Sequence, residues 1–198
     1  SWGIPTTNYS AGYSVYRAHS GASSMRTGIV YESHNTYSYS DAWQSVYVPW
    51  NATSAKLSMW VYQSSTELAA QAELTPPDPS LFGIESETIA AAASAEVLAS
   101  DAQYVLLIDI YGNIDYLYWT RRNTQSWNYI EFDLKKYAGQ TVRIQFGTYN
   151  DGWGGVTSMY VDDIFLDACT TTPVTPTPPP DNQCTERVDN GGFEWISD

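Results

Sequence analysis

The chain has 198 residues, a formal net charge of −13 with only nine Lys and Arg, and an aromatic content of 15 %. So few cations exclude binding to phosphate backbones, which needs them clustered, and to anionic membrane surfaces for the same reason. No apolar run approaches the roughly 20 residues of a membrane span, so neither nucleic acid nor an inserted membrane segment is expected. The length suffices for one sizeable domain plus a linker. With no initiator Met and no signal peptide, the chain reads as a mature or excised piece.

In chain order, strands are expected at Tyr13–His19 and Met25–Tyr31. The stretch Ser40–Pro49 follows, with Ala42, Gln44, Val46 and Val48 on one side. Ser54–Gln63 alternates cleanly. Ala55, Leu57, Met59 and Val61 share one face, and Lys56, Ser58, Trp60 and Tyr62 share the other. A period of two with one apolar face marks a half-buried strand. Residues 64–101 break this pattern as an insertion. Its "LTPPDPSLFG" reads as a loop, and Glu85–Ser100 reads as a short helix rich in Ala, the best helix former. Ser86 or Thr88 would cap it, with acidic residues in the first turn. The insertion is either an interaction surface or a peripheral cover. Ala102–Thr120 is a hairpin turned by Gly112-Asn113. Further strands are expected at Trp127–Leu134, Thr141–Tyr149 and Ser158–Asp167. Many short strands between Gly, Asn, Asp and Ser turns predict an all-β fold, an antiparallel sandwich over residues 1–168.

Cys169 and Cys184 bracket fourteen residues. A disulfide closing that loop implies an oxidising compartment and contributes about 3 kcal/mol in the chain-entropy view. Free or cross-paired thiols are the alternative. Metal binding by these cysteines is disfavoured, since neither sits in a CxxC and His19 and His34 are far off in sequence. Between them, Thr170–Pro180 is a Pro/Thr linker within residues 169–184. Proline removes amide donors and favours an extended polyproline path, ~3.1 Å per residue, which a disulfide would force to bulge outward. Thr170, Thr171, Thr172, Thr175 and Thr177 suit O-glycosylation on composition alone. Asn8 and Asn51 stand in N-glycosylation sequons.

The chain ends on "DNGGFEWISD", Asp189–Asp198, which reads as the opening of a domain. Joined to the start, Asn190-Gly-Gly-Phe-Glu194 precedes Trp2, a strand, and His19-Ser-Gly-Ala-Ser-Ser-Met-Arg26. The last strand carries "MYVDDIFL", Met159–Leu166. This order resembles the bacterial extracellular carbohydrate-binding modules of jelly-roll form and related surface repeats. The resemblance implies one structural calcium, an ion that takes six to eight oxygens. Glu194, Asp162 or Asp163, and carbonyls near Gly21 and Ser24 would hold it. Which aspartate faces the ion is open, since neighbours in a strand point to opposite faces. The plainer alternative makes both aspartates turn or solvent carboxylates.

The shifted order leads to the expectation that residues 185–198 complete another unit, either as the first strand of a tandem repeat or as a strand donated to a neighbouring subunit. Asn190, Phe193, Glu194 and Trp195 would form that inter-unit strand. An open edge invites such pairing, and a non-closing head-to-tail contact makes a filament. The alternative is a tail that folds back on its own domain, a simple circular permutation.

Asn150, Asp151 and Trp153 in the loop Gly147–Gly155 are candidate sugar contacts. Trp60, Tyr62, Tyr116, Tyr118 and Trp119 either form an exposed aromatic platform or pack the interior, the insertion or a neighbour. Catalytic motifs such as GxSxG, HExxH or a Walker loop are absent. Acidic pairs such as Glu131 and Asp133 arise by chance among 22 Asp and Glu, and His19 reads as structural. The leading expectation is a non-enzymatic structural repeat of an extracellular or cell-surface filament, a homopolymer or tandem array holding structural Ca2+. The alternative is a carbohydrate-binding module of a larger secreted enzyme or adhesin, with glycans as partners.

Overall fold

The computed structural model describes residues 1–68, 71–77, 100–171 and 182–194. Its strands, in chain order, are β1 (Gly12–Ser14), β2 (Ser24–Gly28), β3 (Ser38–Tyr47), β4 (Ala52–Ser65), β5 (Gln71–Glu73), β6 (Ala102–Ile108), β7 (Ile114–Arg122), β8 (Trp127–Asp133), β9 (Thr141–Asn150), β10 (Thr157–Thr171) and β11 (Asn182–Glu186). They form two antiparallel sheets. Sheet 1 runs β3-β9-β6-β7-β5. Sheet 2 runs β1-β2-β10-β4-β8, with β11 also paired to β10. The predicted all-β sandwich is therefore the observed fold.

Alternation explains the layers. Leu57, Met59 and Val61 of β4 meet Val105 and Leu107 of β6, Val142, Ile144 and Phe146 of β9, and Met159, Val161 and Leu166 of β10 in one fully buried core. Each such side chain contributes about 1.5–3 kcal/mol on burial. At one end the interior turns polar. There Gln63 Nε2 donates to Gln103 Oε1 at 2.7 Å, and hydroxyl pairs join Thr27 to Thr148 at 2.7 Å and Ser65 to Thr157 at 2.8 Å. Pairing of this kind is what lets polar groups stay buried.

The strand expected at Tyr13–His19 shortens to β1, because the chain leaves the sheet edge after Ser14. The one expected at Met25–Tyr31 ends at Gly28, which has φ +73° and packs where a Cβ would lie 2.3 Å from the Thr157 carbonyl oxygen. β4 runs on to Ser65, into the predicted insertion, and β5 lies within the insertion. All of the helix predicted at Glu85–Ser100 but its last residue, and most of the Pro/Thr linker, fall outside the described residues. Cys169 and Cys184 are opposed across β10 and β11 and form the predicted disulfide.

The terminal segment corrects the inter-unit expectation. On one edge of β10, β2 pairs with Ser158–Val161 and β11 pairs with Asp167–Thr171. Between them β10 is irregular, with a register shift between Asp162 and Phe165. The chain's own Gly191-Gly192-Phe193 fills that gap. The Ile164 amide donates to the Gly191 carbonyl at 3.0 Å. Gly191 is close enough that a Cβ would lie 1.8 Å from the Ile164 carbonyl oxygen. Phe193 is completely buried, its ring 5.3 Å from Trp2, 6.1 Å from Phe146 and 6.2 Å from Tyr13. Trp2 Nε1 donates to the Asn190 carbonyl, and Gln44 exchanges hydrogen bonds with the Asp189 backbone at 3.0 and 2.7 Å. The interior position predicted for Gln44 is thus an anchor for the tail. Asn190, Phe193 and Glu194 complete their own sandwich, and Trp195 lies outside the described residues. The reason is tethering: β11 and the disulfide deliver the segment beside the gap, and a tethered group outcompetes a free one by effective concentration.

Candidate functional site

Three segments meet at the tail. They are the turn 17–24, the β10 irregularity and residues 190–194. Asp162 Oδ2 accepts the amides of His19 at 2.7 Å and Ser20 at 3.2 Å. Asp163, held at φ +47°, pairs with His19 Nδ1 at 2.7 Å and accepts the Ser20 hydroxyl at 2.6 Å. Glu194 Oε1 accepts the Ala22 amide at 2.9 Å. Gly21 has φ +58°, and a Cβ there would lie 2.0 Å from Glu194 Oε1. The Ser24 hydroxyl donates to the Arg17 carbonyl at 2.5 Å. The structure therefore places all five predicted calcium residues on these three adjoining segments, without bringing the carboxylates of Asp162, Asp163 and Glu194 into one cluster within 4.8 Å. Their donor set, carboxylates and loop oxygens, suits a hard cation. Asp162 is fully buried and its carboxyl is pushed up by that burial, against the amides of His19, Asp163 and Ser20.

The outside of sheet 2 carries a row of rings. His19 stacks on Trp60 at 3.9 Å and 14°, and Tyr129 stands 5.6 Å from Trp60. Trp127 lies 5.7 Å from His19 and 5.8 Å from Tyr62. Arg17 caps Tyr62 at 4.2 Å. Register aligns the row: Trp60 opposes Tyr129 and Tyr62 opposes Trp127 across β4 and β8. Tyr129 is 51 % exposed, while Trp60 and Trp127 are half-buried. Polar groups rim the rings. Tyr129 Oη donates to Glu131 at 3.0 Å, and Lys56 pairs with Glu131 at 2.6 Å. Flat apolar faces with hydrogen-bonding edges can stack on one face of a ligand and bind its periphery.

The outside of sheet 1 is covered over part of its length. Tyr39, Tyr104, Tyr149 and Trp119 are buried there, with Tyr104 stacked on Trp119 at 5.5 Å. Among them, Asp41 Oδ2 accepts Tyr104 Oη at 3.2 Å and Gln145 Nε2 at 3.0 Å, while Asp41 Oδ1 and Gln145 Oε1 have no partner. Burial pushes the Asp41 carboxyl up to about 6, outweighing the hydrogen bonds from Tyr104 and Gln145 and the charge of Arg143. Asp41 and Gln145 were missed in the sequence. The available signal was a carboxylate and an amide each in step with aromatic positions, at Tyr39-x-Asp41 and Gln145-x-Gly-x-Tyr149.

The five residues read as either an exposed platform or interior packing occupy three places. Trp60 and Tyr62 lie outside sheet 2, while Tyr116 and Trp119 belong to the cluster outside sheet 1. Tyr118 packs against the core and donates to Gln63 Oε1 at 3.2 Å. His19, read as structural, stands in the exposed row.

The predicted sugar loop also divides. Trp153 projects from its tip, 80 % exposed. Asp151 Oδ1 accepts the Trp153 amide at 2.7 Å. Asn150 is wholly buried, donating to Asp101 Oδ2 at 2.9 Å and to the Thr157 carbonyl at 3.1 Å, so it cannot contact an external sugar. Among the described residues, Glu67, Asp101 and Asp151 alone bring three acidic or metal-ligating side chains within 4.8 Å of one another. Of the glycosylation candidates, Asn8 is exposed but its Nδ2 donates to the Tyr37 carbonyl at 3.1 Å, and Asn51 sits half-buried before β4. Thr170 and Thr171 belong to β10, and Thr172, Thr175 and Thr177 lie outside the described residues.

No family model and no curated protein matches the chain. Solved structures do. A family 61 carbohydrate-binding module, TmCBM61, solved in complex with β-1,4-galactotriose, has a TM-score of 0.50 and 11 % identity, covering 83 % of this chain and 86 % of that one. The CBM22-1 xylan-binding domain from Paenibacillus barcinonensis Xyn10C has a TM-score of 0.43 and 12 % identity, covering 84 % of this chain and 85 % of that one. At such identity the first likeness is one of fold, and the architecture of this chain is a β-sandwich of the kind found in carbohydrate-binding modules.

Proposed function

We propose that this chain is a non-catalytic, extracellular glycan-binding module, and that its ligand lies along the rings of sheet 2. The observation that carries this reading is the half-open row of His19, Trp60, Tyr129 and Trp127 on one strand-aligned face. The fold shared with a galactotriose-bound module supports it, and the disulfide is in keeping with an oxidising compartment. The net charge of −13 disfavours acidic polysaccharides, so the substrate class is an uncharged glycan. Retention on neutral polysaccharide gels, followed by calorimetry with the retained sugar, tests it. Trp60→Ala and Tyr129→Ala should each weaken binding at least tenfold, about 1.4 kcal/mol. Unaltered binding in both variants would move the ligand elsewhere.

The same proposal includes a structural calcium at the tail. Glu194 and Asp162 would supply carboxylates, with loop oxygens of the Gly21–Ser24 turn, holding the tail to the body. Glu194→Gln should then abolish any calcium-dependent rise in melting temperature that originates there.

A further inference from the structure

We propose that Glu67, Asp101 and Asp151, together with the side-chain oxygen of Asn150, form a calcium site that fastens the β9–β10 loop to the two ends of the insertion. This site is separate from the one at Glu194 and does not depend on the glycan-binding reading.

The three residues come from distant parts of the sequence. Glu67 follows β4, at the start of the insertion, and Asp101 precedes β6, at its end. Asp151 opens the β9–β10 loop. Each offers a carboxylate oxygen within 4.8 Å of the other two. Like charges at this spacing repel strongly away from bulk water, and Asp101 is fully buried. No cationic side chain pairs with any of them among the described residues. Asp101 accepts only neutral donors, including the Asp151 amide at 2.8 Å and Asn150 Nδ2 at 2.9 Å.

Two oxygens point to a missing partner. Glu67 Oε1 is shielded from water and meets no donor. Independently, Asn150 is 0 % exposed, and its amide abuts the Asp101 carboxylate. Both Nδ2 bonds go to acceptors, Asp101 Oδ2 and the Thr157 carbonyl, which sets the orientation of the amide. The oxygen Oδ1 is thus left buried with nothing to accept. A buried acceptor in that condition costs about 1–3 kcal/mol unless something satisfies it. A cation satisfies Asn150 Oδ1, Glu67 Oε1 and the mutual repulsion together. The donors are all oxygen, with no sulfur or imidazole, which selects calcium over zinc. Backbone carbonyls and water would fill the remaining positions.

The loop is built to lie close. A Cβ on Gly154 would sit 3.0 Å from Glu67 Oε1, and one on Gly155 would sit 2.5 Å from the Thr66 carbonyl carbon. Val156 and Thr66 bind each other through both backbone and hydroxyl. The ion would therefore set the pose of Trp153, whose amide is bonded to Asp151.

The test uses CaCl2 titration by calorimetry and Tb3+ luminescence excited through tryptophan, on the wild type, Glu194→Gln, Glu67→Gln and Asp151→Asn. Circular dichroism confirms folding, and Glu67 makes no side-chain hydrogen bond whose loss would unfold the chain. Expected are calcium-displaceable Tb3+ emission in wild type and in Glu194→Gln, and at least tenfold weaker affinity for this site in Glu67→Gln and Asp151→Asn. Absence of binding in wild type, abolition of all binding by Glu194→Gln, or wild-type binding in both Glu67→Gln and Asp151→Asn would overturn the proposal.

Discussion

The outer faces of the two sheets begin from the same local pattern and end in opposite conditions. Both place aromatic side chains at alternate strand positions. On sheet 2 the rings of His19, Trp60, Trp127 and Tyr129 stay half-open, rimmed by Lys56 and Glu131. On sheet 1 the rings of Tyr39, Tyr104 and Tyr149 are buried, around a carboxyl raised to about 6. An exposed ring keeps water on one side and is available to a ligand. A buried ring gives up that availability for packing free energy.

Tyr104→Ala should cost about 3–5 kcal/mol, the range for a large aromatic removed from a packed site, whereas Tyr129→Ala should leave the urea midpoint nearly unchanged. Comparable losses would mean that the two faces are equally covered. Next in size is the covalent tie at the edge of sheet 2. Replacing Cys169 and Cys184 by Ser should cost about 3 kcal/mol by freeing the unfolded chain. Sedimentation should still show a monomer. A concentration-dependent dimer would mean that the tail then serves a second copy.

The covered face should also carry its own pH dependence. The folded-state pKa of Asp41, about 6, exceeds the usual carboxylate value near 4, so the folded protein holds this proton more tightly than the unfolded chain. The resulting stabilisation is complete below pH 4 and is lost as pH rises through 6, amounting to roughly 2–3 kcal/mol at most. Asp41→Asn should remove that slope, read as the difference between wild-type and variant urea melts from pH 4 to pH 7. A wild-type slope persisting in the variant would place the titration elsewhere, with Asp101, also raised to about 6 by burial, the next group to replace. A small stability effect is expected for Trp60→Ala, about 1 kcal/mol or less for a half-buried ring, although glycan retention should fall sharply there.

Much of the scaffold was legible. Ala55, Leu57, Met59 and Val61 announced the buried side of β4, and all four are completely buried. The spacing of Cys169 and Cys184 announced their bond. The place of Asn190–Glu194 in the domain order was also readable, but not whose sandwich it would finish. That turned on the gap in the β10 edge and on a tether short enough to fill it. The five aromatic residues divide between the two alternatives because Tyr118 and Trp119 are neighbours in a strand and face opposite ways, one toward Gln63 and one outward.

The sequence by itself determined which side chains share a face, where most of the strands run and which cysteines lie near enough to join. These follow from the two-residue period of an extended chain and from short loop lengths, both local properties. Only the tertiary structure decided which face is covered, that Phe193 belongs to its own core, and that Glu67, Asp101 and Asp151 meet. Those outcomes depend on strand order and register, which bring residues far apart in the chain to within a few ångströms and which no local pattern encodes.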